Sequence, residues 1–294
     1  MRMSSGVILM TAAGITWLIL AVIISSINKK GLDIAFVQGM SALLIIAITI
    51  PLGIDCAGDV PKLSIVSLLL AGIFNYLVFL LMDKAMKHGP HGIIWAMSQS
   101  AFVIPFLMGI IFFATPPTPL RLAGIFTLIT ATITMGFVED NTGKSGEFIW
   151  IFFAITAYFT AGLTQCCTNL PSYFIAESGS STSLVFFRTG LFSCGTLAAY
   201  LCHWMIIRNE VDLKKSVRSI LLMTAASVAA SFLVYAGLDK LSASGVGAIG
   251  YPLTSGISIA SFQVYTAISL KEKTTWKVVL GIMLCISGSI LLAL

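Results

Sequence analysis

Charge is what this chain has least of. Lys, Arg, Asp and Glu make up 10% of its 294 residues, against roughly 25% in ordinary globular domains. So few charges cannot clothe a water-exposed surface, and no stretch is long and polar enough to form a soluble domain. Histidine is scarce, at three, and the three are spaced poorly for binding a metal. The chain has no His-Glu-x-x-His zinc pattern and no phosphate-cradling glycine loop of the Walker type. These absences argue against an ATP-driven pump and a metalloenzyme, and no cofactor is expected.

Apolar residues fill the gap, at 57%, and they come in runs of about 18 residues or more, the length that crosses a bilayer as a helix. The runs are continuous and lack the alternation of lumen-lining strands, so helices are preferred to a barrel. The net charge of +5 does not point to nucleic acid, because Lys and Arg sit in short clusters between apolar runs. Of six cysteines, only Cys56 lies clearly in a loop; the others read as small apolar residues. The first run, after Arg2, exceeds the 7–15-residue core of a secretory signal and is followed at once by another span, so it counts as a helix.

Ten spans result: Gly6 to Ile27, Ile34 to Gly53, Leu63 to Leu81, Gly92 to Phe113, Leu120 to Val138, Phe148 to Cys167, Thr182 to Ile206, Val217 to Gly237, Ala243 to Leu270 and Lys277 to Leu294. Turn-forming punctuation separates them, including Lys87-His88-Gly89-Pro90, Pro116-Pro117-Thr118-Pro119 and Asn141-Thr142-Gly143-Lys144. The expected fold is an all-α integral membrane protein.

The chain repeats itself. An offset of 156 residues superposes Asp83-Lys84 on Asp239-Lys240, Gly89 on Gly245, Trp95 on Tyr251 and Ser98 on Thr254; after one insertion, Gly124 falls on Gly281 and Thr132 on Ser289. Two five-helix halves follow, residues 1–141 and 142–294, within one membrane domain. Because five is odd, equivalent helices cross in opposite directions, an inverted repeat of the kind found in alternating-access carriers. Loops after odd-numbered spans hold twelve Lys and Arg residues against four on the other side. That places the odd loops in the cytoplasm and both termini outside.

The segment Ala85 to Gly109, with Lys87-His88-Gly89-Pro90-His91-Gly92 leading into Gln99-Ser100 and Pro105, has a counterpart from Asp239 to Leu270. With the closing Leu270-Lys271-Glu272-Lys273-Thr274-Thr275-Trp276 turn before Gly281-Ile282, these resemble the drug/metabolite transporter superfamily of EamA-like ten-helix proteins. The glutamate-containing turn is similar to the one before that superfamily's last helix. The resemblance implies a cavity lined by spans one to four and six to nine, with five and ten peripheral. Among its members, rhamnose-proton symporter relatives are similar in having termini outside, which tilts the expectation toward sugar transport in the plasma (inner) membrane of a bacterium.

Polar groups in hydrocarbon ask for a partner or a cavity. Arg188, inside the seventh span, either holds a substrate carboxylate or phosphate, pairs with a carboxylate such as Glu177, or snorkels to the interface. Asn75, Gln99, Gln165 and Gln263 either bind substrate hydroxyl or ammonium groups or bond between helices. Trp17, Trp95 and Tyr251 are either aromatic walls for a solute or, near span ends, interface anchors. Together these eight form the expected substrate-binding set. Pro105 and Pro252, with the nearby glycines, suggest discontinuous gating segments. The pairs Asp83-Lys84 and Asp239-Lys240 suggest gates on opposite sides that latch by ion pairing, or plain helix ends.

The expected function is secondary transport of a small polar organic solute, such as a sugar or amino acid, by alternating access. The protein would work in membrane lipid, as monomer or homodimer, without nucleic acid. No carboxylate lies deep in an expected span, which leaves proton or other ion coupling to interface carboxylates such as Asp33, Glu177 and Asp239. The alternatives are a metabolite exporter of opposite orientation and a polytopic membrane enzyme acting on lipid, whose nearest approach to a reactive cluster is His88, His91 and Asp83.

Overall fold

The computed structural model describes residues 2–136, 148–175, 181–207, 212–272 and 275–294. Among them the regular structure is helical, with no strand. The helices are α1 (Arg2–Lys29), α2 (Ile34–Gly53), α3 (Lys62–Met86), α4 (His91–Gln99), α5 (Val103–Phe113), α6 (Pro119–Gly136), α7 (Phe148–Ile175), α8 (Thr182–Ile206), α9 (Leu213–Ser242), α10 (Gly250–Tyr265) and α11 (Trp276–Ala293). The fourth span is α4 and α5 joined by a tight turn at Ser100–Phe102, so α6 to α11 are spans five to ten. Nine helical segments of the described residues are long and apolar enough to cross a membrane. The tenth, Pro119–Met135, is apolar but shorter; at 1.5 Å per residue α6 rises about 27 Å. The chain is thus an all-α polytopic membrane protein.

Large apolar side chains such as Ile111, Phe112, Phe126, Phe159 and Met283 are exposed, as lipid-facing positions should be, while small residues sit where helices cross. A Cβ on Gly72 of α3 would overlap the Phe192 carbonyl oxygen of α8, and one on Gly195 would overlap that of Leu69. A Cβ on Gly124 would lie 2.9 Å from the Gly288 carbonyl oxygen, bringing α6 and α11 backbone to backbone. Such close approach is how helices associate where lipid offers no hydrophobic drive. On α6, Thr127, Thr130, Thr132 and Thr134 each donate to the carbonyl four residues back, which satisfies their hydroxyls without a partner helix. The main packing partners are α1 with α9, α3 with α7 and α8, α2 with α8, α1 with α10, and α6 with α11.

Two helices extend beyond their expected apolar runs. The sixth span continues past Cys167 to Ile175 and the eighth past Gly237 to Ser242. The residues that ended those runs in sequence, Asn169, Ser172 and Asp239, are buried between helices. Val138 and the 141–144 turn lie outside the described residues. The C-termini of two spans share one geometry: Ala114 (φ 48°) and Lys271 (φ 56°) are left-handed, and each amide bonds a carbonyl five residues back, at Gly109 and Thr266.

Candidate functional site

A cavity of about 130 Å³ lies inside the bundle. Its walls come from α1, α3, α4, α7, α8, α9 and α10; α6 and α11 contribute nothing. Trp17 is the sixteenth residue of α1 and Asn75 the fourteenth of α3, so the cavity sits near mid-span. Of the eight residues expected to bind substrate, six line it: Trp17, Asn75, Trp95, Gln99, Gln165 and Tyr251. None of the lining residues is charged.

The aromatic wall is held from behind. Trp95 is buried and its indole Nε1 donates to Ser258 Oγ of α10 at 3.0 Å, which fixes the ring's plane. Trp17 and Tyr251 face each other at 6.0 Å between centroids, tilted by 38°, within the usual range for aromatic pairs. The amides at the cavity are less committed. The Oε1 atoms of Gln99 and Gln165 accept no hydrogen bond from the protein, although both residues are buried. An acceptor left unpaired in hydrocarbon is unfavourable by about 1–3 kcal/mol, and both of these belong to residues that line the one cavity.

The structure adds lining residues that sequence reading passed over: Thr164 and Thr168 beside Gln165 on α7, and Ser227, Ser231 and Tyr235 on α9. Their signal was spacing. Residues 227, 231 and 235 recur every four positions and share one helix face, yet each alone looks unremarkable in an apolar run.

Two of the expected substrate-binding residues lie elsewhere. Arg188 is fully buried, which rules out snorkelling, and its charge is taken: Nη1 reaches Asp239 Oδ1 at 2.8 Å and Oδ2 at 2.9 Å, and Nη2 donates to Ser172 Oγ at 2.8 Å. The guanidinium stacks over the Tyr235 ring at 4.3 Å, so the cluster backs the cavity wall without opening onto it. Glu177, the partner suggested by sequence, lies outside the described residues. Gln263 is buried against Gly92, where its Oε1 would sit 2.7 Å from an added Cβ; it packs α10 on α4.

The two aspartates expected at helix ends are both buried, Asp83 at 4% and Asp239 at 3% exposure. Asp239, in the last turn of α9, is thus shielded by neighbouring helices and not open to solvent. It tolerates burial because Arg188 compensates its charge. Neither aspartate pairs with the lysine that follows it: Asp83 takes Lys87 at 2.8 Å and accepts from Asn28 Nδ2 at 2.9 Å, while Lys84 lies over the Phe153 ring and Lys240 is exposed. Residues i and i+1 diverge by about 100° around a helix, which sends one inward and the other out.

Pro105 sits just past the turn that divides the fourth span, whereas Pro252 lies in the first turn of α10, where that span begins, and interrupts no helix. Each lacks the amide that would bond the carbonyl four residues back, at Ala101 and Ala248, and both of those lie in tight three-residue turns, Ser100–Phe102 and Gly247–Ile249. Glu272, in the turn before α11, caps the start of α4: its carboxylate accepts from the His91 amide at 2.9 Å and the Gly92 amide at 3.3 Å, placing negative charge at a helix N-terminus. His91 Nδ1 bonds Ser25 Oγ at 2.9 Å. Among the described residues, no three of His, Cys, Asp and Glu cluster to hold a metal ion.

No family model matches the chain, and no curated protein does. Solved structures do: in one crystal structure of a protein, the fold superposes with a TM-score of 0.69 at 14% identity, covering 98% of this chain and 96% of that one. At that identity the likeness establishes a shared fold alone.

Proposed function

We propose that this protein is a secondary carrier that moves a small, uncharged polar solute across the membrane by alternating access. The observation that carries the reading is the mid-span cavity, where aromatic residues and glutamines with uncommitted amide oxygens, from helices far apart in sequence, line one space. A structural bundle gains nothing from unpaired acceptors at its centre; a carrier uses them. The uncharged lining favours a neutral solute over an anion, because a carboxylate there would meet no cation.

Alternating access asks for two halves that can exchange roles, and several observations support an inverted pair. If the halves are related by a two-fold axis, the contact of α1 with α9 corresponds to that of α7 with α3, while α2 with α8 and α6 with α11 are self-related; these are main contacts of the bundle. The left-handed caps at Ala114 and Lys271 fall 157 residues apart, the offset of the sequence repeat after its insertion. The resemblance to the drug/metabolite transporter superfamily, the loop charges that put both termini outside, and placement in a bacterial inner membrane belong to the same proposal. Asp83 with Lys87 and Asn28, and Asp239 with Arg188 and Ser172, would close opposite ends of the path.

Uptake of radiolabelled sugars and amino acids into proteoliposomes, with and without a pH gradient, tests the reading. At least one neutral solute should enter faster than into empty vesicles, and Trp95→Ala should abolish the difference. If every solute enters at the empty-vesicle rate, the carrier reading fails.

A further inference from the structure

Beside the central cavity lies a second, smaller chamber of about 40 Å³, between α2, α3, α8 and α9. It shares Phe79, Phe192, Ser227 and Ser231 with the cavity, so the two chambers meet along one wall. At its head is Gln38, 3% exposed, whose Oε1 and Nε2 both lack any hydrogen bond within the protein. Other polar groups of the chamber are already engaged: Ser41 Oγ donates to the Ile220 carbonyl at 3.1 Å, and Thr196 Oγ1 to the Gly72 carbonyl at 3.0 Å. A buried amide in a membrane bundle normally finds a partner on a neighbouring helix. Gln38 has none, and it lines a chamber that shares a wall with the central cavity.

We infer that the Gln38 chamber is a specificity subsite that takes one neutral hydroxyl-bearing arm of the transported solute. Gln38 offers a donor and an acceptor together, and a hydroxyl is the small group that uses both at once. No charged residue lines either chamber, so an ammonium or carboxylate arm would be desolvated without compensation. The chamber's size admits a single hydroxymethyl-sized arm, with the rest of the solute between Trp17, Trp95 and Tyr251. This rests on the carrier reading for what enters the cavity, while the binding site itself stands on Gln38 and its chamber.

The test is binding to the purified full chain, read as ligand-induced shift of the thermal midpoint, using D-glucose, L-rhamnose and myo-inositol against D-glucuronate and D-glucosamine. At least one neutral probe should stabilise the wild-type protein and the charged ones should not. Gln38→Met should weaken that binding about tenfold, the loss of one to two hydrogen bonds, while leaving the unliganded midpoint unchanged or higher. Ser193→Ala, on the chamber wall, should weaken it by a smaller factor at an unchanged midpoint. The inference is overturned if no neutral probe binds, if Gln38→Met binds as the wild type does, or if its unliganded midpoint falls, since that marks a structural bond. Proteoliposome uptake of the same probe separates the two readings. Binding that depends on Gln38 without uptake keeps the subsite and removes the carrier; uptake indifferent to Gln38 does the reverse.

Discussion

Replacing Asp239 with asparagine tests the buried ion pair at its weakest point. At 2.8 Å the gross attraction between Arg188 and Asp239 is ~6 kcal/mol at an effective dielectric near 20. Withdrawing each ion from water costs several kcal/mol, so the intact pair contributes little net stability. Asp239→Asn preserves shape but leaves a fully buried guanidinium with only the Ser172 hydroxyl and the Tyr235 ring. Removing one partner of such a pair costs about 3–5 kcal/mol, a shift of roughly two to four powers of ten in the unfolding constant. Unfolding by dodecyl sulfate in mixed micelles, followed by circular dichroism, reads this as a transition at a lower detergent fraction. The double variant Arg188→Met with Asp239→Leu should return to within about 1 kcal/mol of the wild type, because an apolar pair needs no compensation. An Asp239→Asn protein as stable as the wild type, or a double variant as unstable as the single, refutes the reasoning. Uptake by the double variant then divides brace from gate: restored stability with lost transport assigns the pair a moving role.

Three further outcomes are expected. Gly72→Ala and Gly195→Ala push a methyl into backbone on the facing helix, which cannot yield as a side chain can; each should destabilise by about 1–3 kcal/mol or more in the same unfolding assay. Gln99→Leu and Gln165→Leu remove unpaired buried acceptors, so the unfolding midpoint should hold or rise while the KM of any transported solute increases. Glu272→Gln removes charge from the cap on α4 and should lower stability by about 0.3–1 kcal/mol, with faster amide exchange at His91 and Gly92.

Hydropathy made the spans readable because burial in lipid is a local property of each apolar run, and the six residues that line the cavity stood out because polar or aromatic groups are conspicuous in such runs. The same rule misjudged the ends of α7 and α9. Hydropathy counts Asn169, Ser172 and Asp239 as exits from the membrane, when neighbouring helices bury them. The sequence by itself determined that this is a helical membrane protein with an internal echo at 156 residues, since length, apolarity and repetition need no partner to be seen. The tertiary structure alone decided where each polar side chain faces. Gln263 packs against Gly92 and does not line the cavity, Gln38 lines an unforeseen chamber, and Arg188 meets an aspartate 51 residues away. Those choices depend on the rotation of each helix about its axis and on which helices lie beside it, and close glycine contacts and long-range bonds set both.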